Sequence, residues 1–78
     1  MNKVDQVLDA KDLACPMPIV RTKKAMNTLE VGQVLEVQTT DKGSINDIAA
    51  WTKSSGHLLI ESKEENGVFT FLIRKAGI

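Results

Sequence analysis

The sequence predicts a two-layer α/β sandwich, with two helices on one face of a mixed four-stranded sheet, in the order βαβαββ. Three observations carry this expectation. Two stretches with apolar residues at helical spacing alternate with short strand-like runs. The first of these helices stands between two strand-like segments, and a helical crossover makes such strands parallel. The Asn66-Gly67 pair joins the last two strand-like runs and favours the tight turn that matches strand twist, so an antiparallel pair closes the chain. At 78 residues the chain reads as a single domain, 1–78, near the lower size at which one core suffices without staples.

Taken in order, Val4 to Ala10 reads as a strand centred on Val7 and Leu8. Asp9 to Ala14 is a polar connection in which Leu13 is expected to pack inward. A helix follows from about Pro18 to Leu29: Ile19, Met26 and Leu29 recur at helical spacing with Val20 and Ala25 beside them, while Arg21, Lys23, Lys24 and Asn27 face outward. Val31-Gly32 marks a turn, and Gln33 to Thr39 alternates as a strand around Val34, Leu35 and Val37. The two parallel strands need not be neighbours.

Ser44 with Asp47 resembles a capping box in which aspartate replaces glutamate, so a second helix is expected to start at Ser44. Ile45, Ile48, Ala49 and Thr52 line one side of it, with Trp51 alongside as a core anchor, and Gly56 is placed to end it in a left-handed conformation. His57 to Lys63 and Val68 to Arg74 are the closing strands. The last is a near-continuous apolar run, which suits the inside of a sheet. Ala76 to Ile78 is a tail.

Charge excludes several functions. Lys plus Arg equals Asp plus Glu at 10 each, so no global nucleic-acid footprint is present and the expected partners are proteins. Few aromatic residues are available for stacking on bases. One cysteine and one histidine, His57, leave neither an internal disulfide nor a zinc-ligand cluster, so no metal and no cofactor is expected. His57 itself reads as a strand-end residue. The stretch from Met1 to Gln6 lacks the apolar core of a signal peptide, and no run is long and apolar enough to span a bilayer. The expected location is the reducing cytoplasm, where a free thiol survives.

Chemistry concentrates in Ala14-Cys15-Pro16-Met17-Pro18, which holds the only cysteine and both prolines. Proline lacks an N–H and is tolerated in the first turn of a helix. The residue before a proline is pushed toward extended geometry, so Cys15 is expected at the mouth of the first helix. There the unpaired N–H groups and the helix dipole favour a thiolate and lower the thiol pKa. The alternative is a buried cysteine acting as an inert small hydrophobe. The stiff turn presented by the prolines favours the exposed, reactive reading.

Leu8-Asp9, Leu13, Cys15-Pro16-Met17-Pro18 and a following helix with Arg21, Lys23 and Lys24 resemble the signature of the TusA/SirA-like sulfur-carrier family. The resemblance extends through the Gly32 turn, the Thr40-Asp41 loop, the Trp51 helix ending at Gly56-His57, and the closing Phe71-Leu72-Ile73-Arg74-Lys75 strand. It implies the same sandwich. It also implies that Cys15 accepts a sulfane sulfur from a cysteine desulfurase or rhodanese-like donor, holds it as a persulfide and passes it to an acceptor protein. Relatives with this signature are associated with tRNA thiolation, molybdenum-cofactor metabolism and oxidation of reduced sulfur. Arg21, Lys23 and Lys24 are candidate docking cations, with a plain solvated helix face as the alternative. Where the family commonly has glycine three residues before the cysteine, this chain has Asp12. Aspartate tolerates a left-handed backbone, but its carboxylate near the thiol is expected to raise the thiol pKa. A reading of a different class is a non-catalytic interaction or redox-regulatory module. Thioredoxin-like cycling is disfavoured, because Pro18 stands where a second cysteine is required.

Overall fold

In the computed structural model the described residues are 4–13 and 17–76. The elements are β1 (Gln6–Ala10), α1 (Met17–Asn27), β2 (Val34–Thr39), α2 (Gly43–Ser55), β3 (Leu58–Glu65) and β4 (Val68–Arg74). They form one four-stranded sheet in the order β1-β2-β4-β3. β1 and β2 are parallel and adjacent, while β4 runs antiparallel to both β2 and β3. The apolar run of β4 thus lies inside the sheet, as its composition suggests.

Register sorts the side chains into two faces. Leu8 stands opposite Val37, which stands opposite Phe71, and Leu35 stands opposite Ile73. These residues pack with Ala25, Met26 and Leu29 from the first helical segment and Ile48 from α2 in one continuous core, against which Ile19, Trp51 and Leu59 also pack. Both helices therefore cover the same face. The alternate residues Val7, Glu36 and Leu72 share the other face, and Val7 is 55% exposed. Val7 is thus not part of the buried centre of its strand. A period of two allows only one of two adjacent residues to face the core, and pairing with β2 selects Leu8.

Helix α1 buries Pro18, Thr22, Ala25 and Met26. That rotation leaves Val20 47% exposed, although its neighbours suggest a core position. The regular helix ends at Asn27, and the N–H groups of Thr28 and Leu29 continue it by bonding the carbonyls of Ala25 and Met26 at 3.0 and 3.2 Å. Leu29 is thereby carried into the core.

The start of α2 differs from the expected capping box. Ser44 lies inside the helix and is buried, and no side chain caps at Lys42. Instead the Asp41 carboxylate accepts from the Gly43 N–H at 3.3 Å and from the Ser44 hydroxyl at 3.4 Å. A boundary shifted by one residue exchanges which side chain reaches the free N–H groups. The buried stripe is Ser44, Ile48 and Thr52, while Ile45 and Ala49 are exposed. Gly56 ends α2 at φ 85°, its N–H bonding the Thr52 carbonyl at 3.1 Å. The hairpin turn is as expected, with Asn66 and Gly67 both at positive φ, 53° and 80°.

His57 closes the end of the molecule where α2 finishes. Its ring Nδ1 accepts the Ala76 N–H at 3.0 Å, and the ring lies 5.3 Å from that of Trp51. Burial first, and the Lys75 charge second, hold its pKa below 6.5. Folding thus favours the neutral ring, so the unfolded chain binds more protons as pH falls below 6.5 and stability falls with it. Thermal unfolding followed from neutral pH downward should show this loss, and His57→Asn should flatten the part of the slope that precedes carboxylate protonation. Equal slopes in the two proteins would contradict the assignment.

Candidate functional site

The carboxyl ends of the parallel pair β1 and β2 meet the amino ends of both helices, which is where open α/β sheets place their ligands. After β1 the chain turns tightly. The Lys11 N–H bonds the Asp9 carboxylate at 3.1 Å, and the Leu13 N–H reaches the Ala10 carbonyl at 3.4 Å. Asp12 adopts φ 66°, the left-handed conformation that the sequence allows for it. Its N–H donates to the Thr40 hydroxyl at 3.0 Å, tying the loop after β1 to the loop after β2. Thr40 was not singled out from sequence, since nothing local marks it as a cross-loop acceptor.

Cys15 and Pro16, with Ala14, lie outside the described residues; Leu13 and Met17 flank them. Met17 opens α1, so Cys15 precedes the helix by two residues along the chain. Pro18 is buried in the first turn, and its carbonyl accepts the Thr22 hydroxyl at 2.7 Å. This buried bond anchors the start of the helix. No acidic residue stands in the first turn of α1. At the start of α2 the Asp41 carboxylate accepts one of the N–H groups, that of Gly43. Neither helix has an acidic residue in its first turn, and the α1 end is the one next to Cys15 in the chain.

Arg21, Lys23 and Lys24 are all exposed. Arg21 and Lys24 border a groove between α1 and β1, and Lys23 lies outside its lining. The groove holds about 480 Å³ and is floored by Leu8, Met17, Val20 and Ala25. Met17 and Val20 are 39% and 47% exposed. Sequence reasoning missed this feature. The signal available was the Ile19-Val20 pair, of which a helix can turn only one into the core. His57 belongs to the opposite end of α2 and takes no part in the site.

Among the described residues, no three His, Cys, Asp or Glu side chains stand close enough to hold a metal ion. None of the described helices is long and apolar enough to cross a membrane.

Replacing Asp12 by glycine should lower the pKa of the Cys15 thiol, because it removes a carboxylate three residues away while glycine keeps the left-handed turn without strain. The rate of thiol alkylation against pH measures it in both proteins. An unchanged or higher midpoint in Asp12→Gly would refute the effect.

Comparisons with known proteins agree with this architecture. A family model described as sulfurtransferase TusA matches residues 6–75. The chain is 64% identical to YrkI of Bacillus subtilis (strain 168) over 94% of its own length and 97% of that protein. It is 53% identical to the sulfur carrier protein TusA of Allochromatium vinosum, over 97% of this chain and all of the other (100%). Among solved structures, the SirA-like protein from Desulfitobacterium hafniense superposes with a TM-score of 0.81 at 28% identity, covering 92% of this chain and 99% of that one.

Proposed function

The chain belongs to the TusA sulfurtransferase family and is a sulfur carrier, and on that premise we propose that Cys15 is the residue that holds the sulfur, as a persulfide. The observation that carries the proposal is the family match across residues 6–75, which contains Cys15-Pro16-Met17-Pro18 leading into a helix that starts at Met17 and has no acidic side chain in its first turn. In that setting the thiolate is the favoured form. Pro18 and Pro16 are assigned the role of stiffening the turn that presents it.

A carrier works with a donor protein and an acceptor protein. In the loading step the Cys15 thiolate attacks the terminal sulfur of the donor persulfide. The donor's S–S bond breaks, its cysteine leaves as a thiolate, and a new S–S bond forms on Cys15. In delivery the acceptor thiolate attacks the terminal sulfur and Cys15 leaves as a thiolate. No oxidant or reductant is consumed, and no general base is required once both thiols are ionised. A low pKa at Cys15 helps the second step by making it the better leaving group.

The donor class that fits is a cysteine desulfurase or a rhodanese-like protein, and the acceptor serves sulfur trafficking such as tRNA thiolation. Arg21, Lys23 and Lys24 are assigned to docking of such partners. The reading places the carrier in a reducing cytoplasm, where the thiol stays available between cycles.

The test is the intact mass of the purified protein after incubation with a cysteine desulfurase and cysteine, under non-reducing conditions. A gain of one sulfur atom in the wild type, reversed by a reducing thiol and absent in Cys15→Ser, is the expected result. No gain from desulfurase or rhodanese-type donors would leave an interaction module as the better description.

A further inference from the structure

We propose that the free edge of β1 and the groove beside it receive an extended segment of a partner protein, which adds to the sheet as a fifth strand and presents acidic side chains to Arg21 and Lys24. Two independent features point to this. The first is the edge itself. Among the described residues, the order β1-β2-β4-β3 leaves β1 and β3 each with an unpaired side. β3 is protected in the usual ways, by a register shift between Leu59 and Glu61 and by the charges of Glu61, Lys63, Glu64 and Glu65. β1, with the sequence QVLDA, has neither lysine nor proline, and its register with β2 runs without a shift.

Stereochemistry shows which groups the edge offers. Lys75 donates its N–H to the Gln33 carbonyl at 2.9 Å, and in the antiparallel pair with β4 the alternate residues Leu35, Val37 and Thr39 likewise direct their backbone groups to β4, so Val34, Glu36 and Gln38 direct theirs to β1. In a parallel pair only one residue of each register pair bonds across, so Gln6, Leu8 and Ala10, opposite Leu35, Val37 and Thr39, bond to β2, and Val7 and Asp9 turn their N–H and C=O groups outward. The side chains of their neighbours Gln6 and Leu8 line the groove. A strand added at β1 would therefore bond to Val7 and Asp9 and drop every second side chain into the groove.

The second feature is the groove's chemistry. Met17, Val20, Arg21, Lys24 and Thr28 lie on one stripe of the α1 segment, following its helical spacing. The far end is closed by the Thr28 hydroxyl bonding Gln6 Oε1 at 3.4 Å. The near end opens at Met17, two residues along the chain from Cys15. Its floor is apolar, its two charged residues are cations, and no carboxylate among the described residues lines it. The complementary segment alternates aliphatic and acidic side chains. An RNA strand would satisfy the cations but has no peptide groups to pair with Val7 and Asp9. The inference rests on the carrier reading only for the identity of the partner as a member of the sulfur relay; the surface stands on the edge and the groove.

The test uses a short synthetic peptide alternating valine and glutamate, added to the isotope-labelled full chain and followed by NMR. The expected result is a set of shifts confined to β1 and to Met17, Val20, Arg21 and Lys24, with amide exchange slowed at Val7 and Asp9. Binding should weaken at least about tenfold in Arg21→Glu/Lys24→Glu and with a valine–lysine peptide. Three results would overturn the proposal: no shifts at Val7 and Asp9 at millimolar peptide, equal binding of the lysine peptide, or the same resonances moved by oligouridylate and not by peptide. Self-association through β1 in place of peptide binding would overturn it too. No sulfur enters this assay, so it fails or succeeds separately from the mass measurement on Cys15.

Discussion

Cys15→Ser should accept no sulfur from any donor and yet unfold at the temperature of the wild type. Both halves of this result follow from chemistry. A serine hydroxyl stays protonated at neutral pH and forms no persulfide, so the loss of loading should be complete and not partial. The exchange replaces one sulfur by one oxygen and leaves Pro16, Pro18 and the buried Thr22 to Pro18 bond in place. Partner docking should also survive, because Arg21, Lys24 and the groove are untouched. The variant should therefore act as a competitive inhibitor of sulfur transfer by wild-type protein. Intact mass, thermal unfolding and inhibition of transfer check the three statements. Loading of Cys15→Ser at any level would remove Cys15 from its assigned role.

Phe71→Ala is the substitution expected to cost most in stability. Phe71 is 1% exposed and sits in the strand between β2 and β3, opposite Val37 and Ser62. It contacts the core that both helices share. Truncating a phenylalanine so enclosed costs about 3–5 kcal/mol, because its transfer energy is lost and a cavity remains. A small domain has only about 5–15 kcal/mol in total. The thermal midpoint should fall by about 15 °C or more, since each kcal/mol shifts a domain of this size by roughly 4–8 °C. Circular dichroism during heating measures it, with Val7→Ala as the control. Val7 is 55% exposed on the uncovered face and should change stability by about 0.5 kcal/mol or less. A similar fall in both would mean that the core is not where the register puts it.

The fold was legible in the sequence where the signals were local. Asn66-Gly67 requires two positive φ angles, a demand few other pairs meet, and Gly56 and the apolar run of β4 are equally direct. What could not be read locally was rotation about an axis. Ile19 and Val20, or Val7 and Leu8, are equally apolar neighbours, and only the partner surface decides which turns inward. Ser44 shows the same limit at a helix end: the capping signature was present, but a start at Gly43 moved the cap to Asp41 and sent Ser44 into the interior. Thr22 was overlooked because its hydroxyl reads as polar, although bonding to the Pro18 carbonyl makes its burial tolerable.

The site divides in the same way. Cys15, with its flanking prolines, stands out in the chain because one short motif contains the nucleophile and the elements that present it. The Asp12 to Thr40 bond and the groove along α1 depend on residues 28 positions apart or on β1 lying at an edge, and neither condition is visible before the sheet is assembled.

The most direct test of the account is whether sulfur rides on this chain alone between two partners. The protein is loaded with a cysteine desulfurase and cysteine, freed of donor by gel filtration, and its intact mass is taken before and after an acceptor thiol is added. The account predicts one extra sulfur that survives removal of the donor and disappears when the acceptor thiol arrives, with Cys15 again titrating as a free thiol. Sulfur that is lost with the donor, or that stays on the chain in the presence of the acceptor thiol, would contradict it.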